Sequence, residues 1–422
     1  MENRPTARSP LLHRLLKTIG VTTAAVLVLA LISLTVFHDK ALRLYRVITL
    51  FNPERIVENF QTMDKIFPHK TLNPAPHPSP LKRHPLPLPP SFIHKGKEID
   101  LSTYLEETWT TGFLVLRDDT ILHESYYLGT TENSRLISWS MGKSMVSALV
   151  GIAREEGHIP SIHTPVSDYV HMLKGSGYHG VSLKNVLQMS SGIRFNEDYG
   201  DFYSDINRMG RVFALGTAMD DFVLSLEPER EPGTYHHYVS MNTQVLGMVL
   251  RHTTGTPLFQ YLEEKLFKPM GAEAPAYWIM DDTGMEMAFG GLGMVLRDYG
   301  RFGRIYLNQG RMGGRQIVPE EWIRASLTMD APHLQPGENP LSSWIMGYGF
   351  QWWIPDNNQG DFIAMGICNQ YIWVQPPSRT VIVKLSAYPD YDKDEFERAL
   401  QAVDLFRTLA RTLTPSSPLA GG

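Results

Sequence analysis

Ser140-Met141-Gly142-Lys143 sets a hydroxyl and an amine three positions apart. On a helix, residues i and i+3 share a face, so these two groups can meet. Serine alone is a poor nucleophile and needs a neighbouring base. A lysine withdrawn from water loses proton affinity and becomes usable as that base near neutral pH. The start of a helix adds unpaired backbone N–H groups that favour negative charge developing nearby. The spelling alone is cheap, because Ser79-Pro80-Leu81-Lys82 repeats it in a proline-rich stretch where no helix can join the pair. A solvated surface lysine is the bland alternative for Lys143. The apolar flanks Trp139, Met141, Met145 and Val146 weigh against it. Gly142-Lys143-Ser144 also looks like the tail of a phosphate-cradling loop, but Ile137 stands where that loop needs glycine.

A second candidate is Tyr238, in Pro232-Gly233-Thr234-Tyr235-His236-His237-Tyr238-Val239-Ser240. A turn presents it just before a helix-like run over 243–251. A tyrosine whose proton is loosened by a nearby lysine can shuttle protons between nucleophile and leaving group. A buried core tyrosine is the competing reading. His236 and His237 invite a metal or triad role, yet there is no HExxH and no Gly-x-Ser-x-Gly elbow. Both histidines read as supporting or surface residues. No metal and no organic cofactor is implied.

The elements that must position these residues follow from pattern. Residues 112–116 and 121–128 read as a hairpin around Arg117-Asp118-Asp119-Thr120. Residues 139–156 read as an apolar-faced helix ending at Glu156-Gly157. Residues 160–340 are mainly helical patterns broken by Gly and Pro. Strand runs at 371–374 and 380–385 flank a Gln-Pro-Pro-Ser-Arg turn, and a last helix covers about 393–413. Hairpin, helices, hairpin and helix describe an α+β fold: an antiparallel β-sheet flanked by helices, with a large α-rich insertion.

The chain has 422 residues, 43% hydrophobic, with a formal charge of −5 and no long basic run. Phosphate binding needs clustered Lys and Arg, so nucleic acid is not an expected partner. The one cysteine, Cys368, excludes an internal disulfide framework. Residues 19–37 form an uncharged, mostly apolar run, just long enough to span a bilayer as one transmembrane helix. Arg4, Arg8, Arg14 and Lys17 before it favour a cytoplasmic N-terminus, although Lys40, Arg43 and Arg46 after it weaken that bias. No small-x-small cleavage site follows. The expected organisation is therefore an N-terminal tail and anchor (1–38), a juxtamembrane segment and proline-rich spacer (39–90), a catalytic domain (91–413) and a disordered tail (414–422). The expected location is a bacterial inner membrane, single-pass, with a periplasmic catalytic domain.

Three blocks occur in order: Ser140-x-x-Lys143, then Pro232-Gly233-Thr234 with Tyr238-x-Ser240-x-Asn242-Thr243-x-x-Leu246-Gly247, then Gly366-Ile367-x-x-Gln370-Tyr371. Together they resemble the β-lactamase-related serine hydrolases, the superfamily of class C β-lactamases and penicillin-binding proteins, in its 6-aminohexanoate-dimer hydrolase-like branch. Supporting matches are residues 186–192, Gly291-Leu292-Gly293, residues 297–303 and residues 347–353. The resemblance spans roughly 90–413. It implies a serine β-lactamase-like fold and an acyl-enzyme on Ser140, with Lys143 and Tyr238 sharing the proton work. It also implies an oxyanion hole from the backbone N–H groups of Ser140 and Ile367, and substrate contacts near Gln370 and Tyr199.

The departures are informative. Lys-Thr-Gly or His-Thr-Gly usually fills the third block in lactamases and peptidases of this superfamily, whereas Ala364-Met365-Gly366 stands here. The cation that would hold a substrate carboxylate is missing, which points towards neutral esters or linear amides. Asn369 replaces an expected glycine. The expected activity is hydrolysis of a small amide or ester. The alternatives are a catalytically silent, membrane-tethered binding module and a peptidoglycan-directed D-Ala peptidase or β-lactamase.

Overall fold

The computed structural model describes residues 10–356 and 359–413, and the side chains of all of these except 10, 12, 29–36 and 395. The tail expected at 414–422 lies outside the described residues.

Branched and aromatic residues fill five long strands that position the site. They are β1 (Thr110–Arg117), β2 (Thr120–Tyr126), β3 (Phe362–Gly366), β4 (Gln370–Gln375) and β5 (Thr380–Ser386). The β1–β2 hairpin turns at Asp118, whose φ of 52° is left-handed backbone that Asp tolerates. The main sheet runs Gly347–Tyr348, Trp353–Ile354, β3, β4, β5, β1, β2, Lys82–Arg83. Strands from the two ends of the domain therefore meet at its centre, with Val381 opposite Leu116 and Val383 opposite Leu114. One edge departs from the antiparallel expectation. Lys82–Arg83 pairs parallel with β2, which makes the sheet mixed.

Successive side chains on a strand face opposite ways, and the two faces build two cores. Leu114, Leu116, Ile372, Val381 and Val383 pack with Tyr299 and Phe302 of α5 (Leu296–Leu307). Phe113, Val115, Tyr371, Trp373 and Ile382 pack with Phe406 and Leu409 of α6 (Tyr391–Thr412). The α-rich region holds α2 (Gly142–Glu155), α3 (Asp205–Ala214) and α4 (Ser240–Thr254).

A second, four-stranded sheet runs His69–Leu72, Ala276–Ile279, Leu292–Met294, Leu136–Ile137. Two of its strands fall in the stretch read as mainly helical. They are three or four residues long and buried on both faces, so they carry no alternating pattern to read.

The N-terminal helix α1 (Pro10–Ile48) contains the apolar run 19–37, of which the side chains of 29–36 lie outside the described residues. Among the described residues, no helix is long and apolar enough to cross a membrane. The fold therefore lends the expected transmembrane helix no support. The C-terminal end of α1 is instead docked on the domain. Arg43 donates to both carboxylate oxygens of Asp282, at 2.7 and 2.9 Å, and to the Ala214 carbonyl at 2.6 Å.

The proline-rich segment does not stand off as a spacer. Ser79 N donates to Gly271 O at 2.9 Å, and Lys82, His84 and Leu86 donate to carbonyls of residues 119–122. Extended chain without internal hydrogen bonds keeps its donors available for a sheet edge, and β2 supplies one. The Ser79 carbonyl accepts from Arg301 at 2.8 Å, so this copy of the Ser-x-x-Lys spelling is structural.

Candidate active site

The turn that carries Ser140 is held from below by the small sheet. Leu136 and Ile137 pair with Met294 and Gly293, and Ser138 N donates to Leu292 O at 2.6 Å. The Tyr299 hydroxyl donates to Leu136 O at 2.8 Å. Gly293 cannot carry a side chain, because a Cβ there would lie 2.1 Å from the Tyr277 ring. The Gly291-Leu292-Gly293 and Tyr299 matches noted in the sequence are thus supports of one turn.

Trp139 follows at φ 41°, a left-handed conformation uncommon for so large a residue. Phe51 and Phe60 hold its ring, with centroids at 5.6 and 5.4 Å. A 3₁₀ turn over Trp139–Met141 then delivers Ser140, half-buried, immediately before α2. Backbone held in a sparsely populated region persists only where its surroundings over-determine it, and such positions cluster at functional sites.

Lys143, one turn along, is buried, with Nζ 2.6 Å from Ser140 Oγ and donating to Phe289 O at 2.9 Å. Burial pulls its pKa from 10.5 down to about 7, opposed by the negative charge of Glu197. Tyr238 stands beside it, with Nζ 5.1 Å from the ring centroid. Trp353 stacks on Tyr238 at 5.4 Å. The three residues singled out by spacing are therefore brought together.

Glu197 borders the candidate site and was missed by sequence reasoning. It accepts from Ser240 N at 2.9 Å, from the Ser240 hydroxyl and from the Tyr199 hydroxyl at 3.0 Å. It ties the Tyr199 loop to the start of α4, just after Tyr238. Its only signal was adjacency to Tyr199, since nothing in spacing connects residue 197 with residue 240.

The third block closes the site. A Cβ on Gly366, at the end of β3, would lie 2.8 Å from Ser138 O and 3.3 Å from Ser140 N. The strand approaches the Ser140 turn as closely as a bare backbone allows. The chain then turns through Cys368 (φ 64°) and Asn369 (φ 62°) into β4. Asparagine is the side-chain-bearing residue most at ease in left-handed backbone, which explains Asn369 where glycine was expected. Its side chain is buried and accepts from the Tyr371 hydroxyl at 2.9 Å.

Two cavities meet at Ser140, Tyr199 and Ile367. One, of about 290 Å³, extends towards the C-terminal end of α1 and is walled by α3. The other, of about 250 Å³, extends past Tyr238 to Trp344, Trp353 and Met365, with Glu197 and His237 on its wall. Gln370 is buried on β4 and lines neither. Ala364, which stands where the family cation was missed in the sequence, is buried on β3; Met365 faces the second cavity, and among the described residues neither Lys nor Arg lines that cavity. His236 is fully buried, not superficial. Its Nδ1 is 2.9 Å from Ser342 Oγ, and burial pushes its pKa down to about 3. Among the described residues no group of His, Cys, Asp and Glu could hold a metal ion.

A family model described as Beta-lactamase matches residues 104–405. The 6-aminohexanoate-dimer hydrolase of Paenarthrobacter ureafaciens is 34% identical over 301 residues, covering 69% of this chain and 76% of the relative. A solved Bacillus anthracis protein assigned as a 6-aminohexanoate-dimer hydrolase superposes with a TM-score of 0.78 at 21% identity, over 86% of this chain and 96% of its own. A family VIII carboxylesterase superposes at 0.54 and 15% identity, over 73% of this chain and 95% of its own. These superpositions speak to the fold alone.

Proposed function

Because the chain belongs to the Beta-lactamase family and is a hydrolase, we propose that it cleaves a small neutral ester or linear amide through an acyl-enzyme on Ser140. The reading rests on one observation above the others: a buried lysine amine, pulled down to about 7, lies 2.6 Å from the Ser140 hydroxyl. Neutral Lys143 takes the Ser140 proton as Oγ bonds to the substrate carbonyl carbon. The backbone N–H groups of Ser140 and Ile367 hold the oxyanion. As the bond from carbon to the leaving oxygen or nitrogen breaks, Tyr238 and Lys143 return the proton to that atom. A water then attacks the acyl-enzyme with the same groups acting in reverse, releasing the acid and restoring Ser140. Tyr199 borders the substrate, and Gln370, paired with Gly366, supports the turn that carries Ile367.

The absence of Lys and Arg from the second cavity supports neutral substrates over β-lactams and D-Ala-D-Ala peptides, whose carboxylate needs a cation. A catalytically silent binding module would have no reason to keep a desolvated lysine against a serine. The apolar run at 19–37 is the sole support for a membrane anchor and an extracytoplasmic domain. Alkaline extraction of isolated membranes, with protease accessibility of the domain, tests that placement.

The function is tested by labelling with a fluorophosphonate probe. Wild type should label and Ser140→Ala should not; equal labelling of both, or of neither, refutes the nucleophile assignment.

A further inference from the structure

We propose that the acyl part of the substrate carries an unbranched apolar chain, seated in the cavity between Ser140 and the C-terminal end of α1. The inference rests on the acyl-enzyme reading above and adds its substrate class.

Three observations carry it. First, the cavity is lined mainly by apolar side chains, with Asn207 and Arg211 as polar exceptions: Val47 and Phe51 close one side, Ile206, Met209 and Phe213 another, and Trp139 the end at the nucleophile. Apolar surface of this kind gains most from a hydrocarbon that replaces water. Second, the direction of the reaction assigns the two cavities. The leaving group takes its proton from the acid–base residues, and Tyr238 borders the second cavity but not the first. The leaving group therefore departs past Tyr238, and the acyl chain extends towards α1. Third, the outer end is flanked by exposed apolar side chains, with Phe202 at 54% and Ile48 at 58% exposure. A hydrocarbon chain passing between them is never returned fully to water.

The test is a series of p-nitrophenyl esters from acetate to octanoate, on the full chain below micelle-forming concentrations, beside a series of acetate esters of lengthening n-alkyl alcohols. In the acyl series kcat/KM should climb about threefold per methylene, short of the roughly fourfold that complete burial of a CH₂ gives. The alcohol series should stay within about threefold overall. A flat acyl series, or a steeper alcohol series, overturns the proposal. Gly210→Phe provides a second arm. A Cβ at Gly210 meets nothing closer than Val47 at 4.0 Å, so the helix accepts a side chain that fills the cavity. The octanoate-to-acetate ratio of kcat/KM should fall at least tenfold, and an unchanged ratio in a folded variant overturns the proposal. Fluorophosphonate labelling separates the failures. Loss of Ser140 labelling in wild type sinks the hydrolase reading itself, whereas labelling with a flat acyl series sinks only the chain subsite.

Discussion

The protonation state of Lys143 sets a measurable pH dependence. An amine at about 7 is roughly three-quarters neutral at pH 7.5, whereas one at 10.5 is neutral about once in a thousand. Burial thus enlarges the competent fraction several hundredfold. The neutral fraction falls from roughly nine-tenths at pH 8 to about one-tenth at pH 6. With a saturating amount of neither substrate nor proton, kcat/KM should drop about tenfold over that interval, with a single-proton slope. Glu197 opposes the depression, because its charge favours the protonated amine. Glu197→Gln should therefore move the limb to lower pH, by about one pH unit for a charge of this proximity. His236 does not contribute, since it is held near 3. His237 faces the second cavity, so the profile is repeated in His237→Gln, where the limb must persist. Steady-state hydrolysis of a p-nitrophenyl ester, corrected for ionisation of the product, reads all three proteins. The reasoning would be falsified by a wild-type rate constant from pH 8 to 5.5, or by a limb that Glu197→Gln moves to higher pH.

The same burial costs stability. The unfolded chain binds more protons than the folded one between pH 7 and 10.5, so the contribution of Lys143 to stability rises with pH across that window. Lys143→Met should abolish turnover yet raise Tm by several degrees at pH 7, about 2 kcal/mol after the lost bond to Phe289 O is discounted, with the gain shrinking towards pH 10.5. Thermal melts at three pH values check it; an unchanged or lowered Tm at pH 7 contradicts it. Gly366→Ala should push β3 off the nucleophile turn, costing about 1–3 kcal/mol of stability and on the order of a hundredfold in kcat/KM. Near-wild-type kinetics in that variant would mean that the strand does not constrain Ser140.

The strands and helices nearest the chemistry were legible because each is long and strongly patterned. The runs at 112–116, 371–374 and 380–385 grew by at most two residues at either end, and the apolar face after Ser140 is α2. The small sheet was not legible, since strands such as Leu292–Met294 are too short and too buried to alternate. The proline-rich stretch misled for a different reason. Its composition describes a chain that cannot form a helix, which suits a free spacer and a chain laid along a sheet edge equally well. In the candidate site, the grouping of Ser140, Lys143 and Tyr238 was legible from residue type and spacing. Glu197 could not, because its partner Ser240 is 43 positions away and is met only through the fold. Gln370 came from the family block, yet its side chain turns into the protein.

The docking of α1 by Arg43 also bears on how the protein can be handled. Trimming hydrophobic N-termini is a routine way to obtain a tractable enzyme, and a cut after residue 52 would look harmless by composition. Here it would remove Val47, Leu50 and Phe51, and with them one wall of the cavity beside Ser140 and one support of the Trp139 ring. A shortened enzyme would report the selectivity of an unroofed site, and its activity profile would describe the truncation as much as the protein.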